Sequence, residues 1–202
     1  MNSFCIAFVH VGDFLPPYLQ DALIQARLFN SCPIYLITSQ TALLSAKIPS
    51  ELNIKYVLGE NLSPMDTHQA FNQVSPLDRK ERNGFWHRTT ERFFYLEAFA
   101  KTVPDQAIYH LENDVLLYRS LDELDPHFQA QRINIGATFD NDIRCIAGFI
   151  YFSNAQAITH LTEFFVSTIE SKVIPNINDM ILIAAYWRTF AGKQITSLPV
   201  IP

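Results

Sequence analysis

Three features of the sequence predict an α/β fold with a mostly parallel central sheet flanked by helices. The first is a strand, helix and strand packed into the opening stretch from Phe4 to Thr38. A unit of about 35 residues has the size of a right-handed βαβ crossover, which makes its two strands parallel and lays a helix on the sheet. The second is a long helix, Phe85 to Val103, leading into a stretch of strand character from Ala107 to Tyr118. The third is composition. With 49% hydrophobic and 17% charged residues in 202, the chain suits one ordered domain, residues 1–202, with a sizeable core.

The elements follow in order. Phe4 to Val11 is an apolar run of strand formers, stopped by Gly12, Asp13 and the pair Pro16-Pro17. From Tyr18 to Phe29, the residues Leu19, Leu23, Ala26 and Leu28 fall near helical spacing until Asn30-Ser31. Ile34 to Thr38 is a second strand, Thr41 to Ala46 a short helix, and Ile54 to Leu58 a strand before Gly59. Glu60 to Asn83 carries Pro64, Pro76 and charges of both signs without sustained periodicity, which predicts a loop with one helical turn at most. Phe85 to Val103 is the strongest helix, closed by Pro104-Asp105. A turn and short helix span Arg119 to Pro126, and Ile133 to Phe139 is a strand ending in Asp140-Asn141-Asp142. Ala147 to Phe152 is another strand, in which Gly148 permits close backbone approach. Ser153-Asn154 starts a helix running to about Ile169, and Asn176, Asn178 and Asp179 cap an apolar helix from Met180 to Phe190. Gln194 to Pro202 reads as a last short strand with a Pro-rich end.

Composition also excludes function classes. A formal net charge of −5 with no Lys or Arg run gives no basic stripe for a nucleic-acid backbone. The longest strongly apolar run, Met180 to Trp187, is far short of the roughly 20 residues a membrane helix needs. The opening Met-Asn-Ser-Phe-Cys lacks the basic and apolar regions of a signal peptide, so the expectation is a soluble, cytoplasmic chain. Cys5, Cys32 and Cys145 are far apart with no C-x-x-C spacing, which predicts buried thiols and neither disulfides nor a zinc site.

The chemistry-bearing residues cluster around Ala107–Tyr118. In an extended chain Glu112 and Asp114 project to the same side, where paired oxygens can approach one hard cation such as Mg²⁺ or Mn²⁺. The plainer alternative is a strand ending in an acidic turn. On the preceding helix Arg88 and Arg92 share a face with Leu96, Phe99 and Val103. They are either salt-bridged, snorkelling cations or ligand contacts. Ligands of open α/β sheets bind at the C-terminal edge of the strands, where this helix would begin and the acidic strand would end, so arginine and carboxylate would meet there. The acids of Asp140-Asn141-Asp142 can simply solvate a loop, and Asp179 can be a helix cap or hold a substrate hydroxyl.

Taken together, the βαβ unit from Phe4 to Thr38, the Arg-bearing helix, His110-Leu-Glu-Asn-Asp-Val-Leu-Leu-Tyr118, the strand Ala147-Gly-Phe-Ile-Tyr-Phe152 and Asn178-Asp179-Met180 opening a helix resemble a GT-A-type glycosyltransferase, of the nucleotide-diphospho-sugar transferase superfamily. The His110–Tyr118 segment stands where that family carries D-x-D, with Glu112 in place of the usual first Asp. The resemblance implies a single-domain GT-A-like (Rossmann-like) fold and transfer of a sugar from a nucleotide-diphosphate sugar, a UDP-sugar in first place, to a hydroxyl acceptor such as a glycan. It implies a divalent cation, Mn²⁺ or Mg²⁺, on Asp114 with help from Glu112. It places His10 and Val11 at the nucleobase, Arg92 and then Arg88 at the phosphates, and Glu112 and Asn113 at the sugar nucleotide. It makes Asp179 the first candidate for the carboxylate that takes the acceptor's proton, and Asp142 the second. Many members add a late histidine to the metal ligands, whereas the last histidine here is His160. A nucleotidyltransferase sharing the architecture would carry a Gly-rich basic loop after the first strand; here it reads Val11-Gly-Asp-Phe-Leu-Pro-Pro17. A non-catalytic nucleotide-sugar-binding domain is the third reading.

Overall fold

The computed structural model describes residues 4–199. Among them seven strands form one sheet in the order β3-β2-β1-β4-β6-β5-β7. The strands are β1 (Phe4–Val9), β2 (Ile34–Thr38), β3 (Ile54–Leu58), β4 (Ala107–Leu111), β5 (Ile135–Asn141), β6 (Arg144–Phe152) and β7 (Ile195–Ser197). The first three and β4 are parallel, β6 is antiparallel to both β4 and β5, and β7 pairs parallel with β5. Six strands therefore point one way and β6 alone opposes them.

Period-two alternation divides the core between the two faces. Phe4, Ile6 and Phe8 of β1 join Ala107, Tyr109 and Leu111 of β4 in one cluster, while Cys5, Ala7, Val9 and Ile108 belong to the other. The first face is covered by α1 (Tyr18–Phe29), α2 (Gln40–Leu44) and α5 (Leu121–Ala130), the second by α3 (Asp66–Val74), α4 (Phe85–Ala100), α6 (Ala155–Ser171) and α7 (Asp179–Phe190). No helix among the described residues is long and apolar enough to cross a membrane. Cys5, Cys32 and Cys145 are buried free thiols, as expected.

Several boundaries shift for identifiable reasons. The expected loop from Glu60 to Asn83 contains α3, nine residues whose one buried side chain is Phe71. Helix α5 continues through Pro126, anchored by the Ser120 cap, the fully buried Leu121 and Asp125, which accepts a 2.9 Å bond from Tyr109 Oη. The last helix begins at Asp179, and its cap is Asn178, whose Oδ1 accepts from the Ile181 amide at 3.0 Å. Asn176 sits in left-handed backbone at φ 52° and does not cap. The Pro-rich end expected over residues 200–202 lies outside the described residues.

Candidate functional site

The site forms where β1 and β4 end, at the edge from which α4 departs. In β4, the side facing α4 carries Ile108 and His110, whose ring packs edge-on against Phe93 at 5.7 Å. The next residue on that side is Glu112. The strand stops at Leu111, and Glu112–Val115 is a turn closed by the Val115 amide on the Glu112 carbonyl at 3.1 Å. This corrects the expected extended arrangement: once the backbone reverses, Glu112 and Asp114 no longer share a strand face. Beside the turn, β6 is irregular, with Ile150 opposite Ala137 but Ile146 opposite Thr138. On its other edge β6 stays in register with β4, Leu111 opposite Phe149, and that ladder continues one step to bond the Glu112 amide to the Gly148 carbonyl at 2.9 Å. A side chain at Gly148 would stand 3.1 Å from Val115 Cγ2 and 3.5 Å from Glu112 Oε2, so glycine is what allows the approach.

Arg92 joins the buried elements. Its Nη1 lies 2.5 Å from Glu112 Oε1 and its Nη2 2.7 Å from Asp179 Oδ2, tying α4 to the β4 turn and to the start of α7. Asp179 Oδ1 accepts from Thr89 Oγ1 at 3.3 Å. Arg92, expected at the phosphates, lines the cleft with its side chain 8% exposed and its guanidinium held between two carboxylates. Asp179, the first candidate for the acceptor's proton, is 2% exposed with both oxygens engaged by Arg92 and Thr89. Cys145 lies in the same field, its thiol pushed up by burial and by Asp179, against the opposing pull of Arg92. Asp142 sits exposed at the β5–β6 turn, its backbone carbonyl accepting from Arg188.

In front of this ion-pair core lies a row of adjoining cavities. One, of about 150 Å³, lies between the ends of β1 and β2 and is bounded by Thr38, Ser39, Glu60 and Tyr95. A second, of about 240 Å³, shares Val9, His10 and Val11 with it and adds Arg82, Arg88 and Asn113. A third, of about 560 Å³, shares His10, Asn83 and Arg88 with the second and adds Arg79 and Lys80. Asn113 Nδ2 faces His10 Nδ1 at 3.1 Å, and burial lowers the His10 pKa, keeping the ring neutral at neutral pH. Gly12 completes the wall: a Cβ there would come within 2.8 Å of His10 Nε2 and 3.1 Å of Arg88 Nη1.

The structure thus brings His10, Val11, Arg88, Arg92 and Asn113 to one cleft, with Glu112 and Asp179 behind it. Asp114 is exposed at the turn with no polar partner among the described residues. No group of three His, Cys, Asp or Glu side chains among the described residues could hold a metal. Such a donor set fits a hard cation held by one free carboxylate together with ligand phosphates and water, and not a cage built from protein alone. His160 packs against Tyr186, Oη and Nδ1 2.7 Å apart, and joins no such group. Arg79, Lys80, Arg82 and Tyr95 also line the cavities and were not among the expected residues. The basic residues between Pro76 and Gly84 were a visible signal, hidden by the acids interleaved with them.

No protein-family model and no curated protein matches the chain. Solved structures do. Mouse xyloside xylosyltransferase 1 superposes with a TM-score of 0.66 at 11% identity, covering 96% of this chain and 84% of that one. The galactosyltransferase LgtC, bound to donor and acceptor sugar analogues, gives 0.62 at 15% identity over 96% of this chain and 73% of its own. The fold is GT-A. A Bacillus anthracis chain described as a glucose-1-phosphate thymidylyltransferase matches less well, at 0.51 and 8% identity over 97% and 87% of the two chains. At such identities the likeness is one of architecture, and the GT-A fold hosts more than one chemistry.

Proposed function

We propose that this chain is a glycosyltransferase, moving a sugar from a nucleotide-diphosphate sugar, a UDP-sugar in first place, to a hydroxyl of a glycan acceptor. The observation that carries this reading is the row of cavities along the C-terminal edge of a GT-A sheet, narrow beside Tyr95 and basic farther out. The compartment between His10, Val11 and Tyr95 would take the nucleobase and the Arg88 compartment the diphosphate. Mn²⁺ or Mg²⁺ bound there would neutralise the leaving diphosphate. Asp114 is the free carboxylate for such an ion, with Glu112 Oε2 beside Gly148 as the second oxygen. Arg92, at the cleft wall, would hold Glu112 and α7 in place, and Asp179 would position Arg92. For the acceptor's proton this leaves Asp142, the exposed one of the two candidate carboxylates.

The test is incubation with Mn²⁺ and a panel of sugar nucleotides, reading nucleoside diphosphate release and thermal shift. Wild type should bind and hydrolyse at least one donor, and Asp114→Asn should lower the Mn²⁺-stimulated rate by roughly tenfold or more. Absence of binding to every donor, or an unchanged Asp114→Asn, would sink the proposal. A non-catalytic binding domain is the second reading, favoured by the pairing of Glu112 and Asp179 with Arg92. It predicts nucleotide binding with no sugar release under any acceptor. Nothing in the β1–α1 loop, Val11 to Pro17, favours the nucleotidyltransferase.

A further inference from the structure

The segment between α3 and α4 sorts its charges by side. Arg79, Lys80 and Arg82 line the cavities in front of His10, whereas Asp78 and Glu81 line a separate cavity of about 700 Å³ on the far side, with Trp86. The segment is also shaped. Asp78 Oδ1 accepts from the amides of Lys80 at 2.6 Å and Glu81 at 3.2 Å, which turns the chain. Arg82, Asn83 and Gly84 then follow one another at φ 48°, 58° and 71°. Left-handed backbone at two non-glycine residues is costly, and such strain concentrates at ligand clamps. A Cβ at Gly84 would stand 2.8 Å from the Arg79 carbonyl, so the fold-back depends on glycine.

The cations it presents are available. Arg82 stacks over Phe85 and Trp86, 5.1 and 5.9 Å from the ring centres, which orders the guanidinium without neutralising it. Arg79 bonds Asn72 Oδ1 at 2.5 Å, a neutral partner. Among the described residues the side chains of Lys80, Arg82 and Arg88 meet no carboxylate and no hydrogen-bond acceptor. In a chain of net charge −5, where carboxylates outnumber cations, unpaired cations gathered on one cleft wall imply an anion as their partner.

We propose that residues 79–82 form a phosphate clamp: Lys80 and Arg82, with Arg79 and Arg88 lining the same cavities, bind the diphosphate of the donor nucleotide. This rests on the glycosyltransferase reading and adds to it that side-chain cations supply much of the donor's charge neutralisation, so diphosphate binding persists without a divalent ion.

The experiment is calorimetric titration of the full chain with UDP and, separately, with inorganic pyrophosphate, each in EDTA and in Mn²⁺. Wild type should bind both in EDTA. The Lys80→Ala/Arg82→Ala double variant should bind roughly tenfold or more weakly in EDTA, whereas Glu81→Ala, on the far side, should bind as wild type. Ligand-free melting confirms that the variants fold, since the substituted side chains are exposed. Wild-type binding that vanishes in EDTA, or a double variant within about twofold of wild type, overturns the clamp. If UDP binds and sugar nucleotides turn over while the double variant is unchanged, the clamp alone falls. If neither ligand binds under either condition, the glycosyltransferase reading falls with it.

Discussion

Removing the Arg92 guanidinium would leave Asp179, 2% exposed, as an uncompensated buried charge with Glu112 nearby. Breaking a buried pair from one side costs about 3–5 kcal/mol, much of it the desolvation of the abandoned partner. Arg92→Met should lose that much unfolding free energy in urea, and Arg92→Met/Asp179→Asn should recover part of it, because the second change removes the orphaned charge. A single variant within about 1 kcal/mol of wild type would mean the ion pairs do not form. His110 gives a second prediction at this scale. Burial, then the nearby Arg92 charge, lower its pKa to about 3, although its ring bonds the Ala7 carbonyl at 3.0 Å. The unfolded chain takes up a proton near pH 6.5 that the folded chain refuses until about pH 3, so stability falls on acidification across that window. The slope should be roughly 1 kcal/mol per pH unit, and His110→Asn should flatten it in urea melts at stepped pH. Arg92 was visible in the sequence as one of two arginines, with Arg88, on a helix face that is otherwise apolar. Its pairing with Glu112 and Asp179 was not, because that depends on a turn and a helix start far along the chain.

Helix α3 shows how an element escapes periodicity. Its attachment to α4 rests on one apolar anchor, Phe71 stacked on Phe94 at 4.6 Å, and otherwise on polar contacts: Thr67 Oγ1 bonds Glu97 Oε2 at 2.5 Å, and His68 Nε2 lies 2.9 Å from Glu91 Oε1. Thr162 of α6 donates to the same Glu97 oxygen at 2.8 Å. A helix held by such contacts needs few apolar residues at helical spacing, so the signal that revealed α1 and α4 was missing. The strands β2 and β3 and helix α1 were legible to the residue because Pro, Gly or Asn bounds each apolar run. The α3–α4 contact makes its own prediction. Burial would raise the Glu91 pKa, but hydrogen bonds from His68 and His87 more than offset it and set the carboxyl at about 2. A carboxylate depressed in the folded state contributes stability above its unfolded pKa and loses it as pH falls from about 4.5 through about 2. The contribution is on the order of 3 kcal/mol. Glu91→Gln should therefore be less stable at neutral pH and lose stability less steeply than wild type below pH 4.5, as checked by urea melts across that range.

Across the whole molecule, the sheet order could not be read from local pattern. The βαβ units gave the parallel half, but the reversed strand β6 follows β5 through a tight turn and then pairs with β4, a long-range choice. That choice decides the site, since the β4–β6 ladder sets Gly148 against Glu112. It also makes the sheet a shared wall. Each of β1 and β4 gives alternate side chains to both cores, so neither core can open without losing strand residues of the other. The chain should then unfold as one unit despite its 202 residues. Trp187, stacked on Phe139 at 4.7 Å, and Trp86 both lie on the α4 and α7 side of the sheet, whereas Phe8 packs on the α1 and α5 side. Phe8→Ala removes a fully buried ring and should cost about 3–5 kcal/mol. If the cores are coupled, the variant's tryptophan fluorescence and far-UV dichroism should shift together to one lower urea midpoint. A fluorescence transition left at the wild-type midpoint while dichroism moves would show that the α4 and α7 side folds without its neighbour.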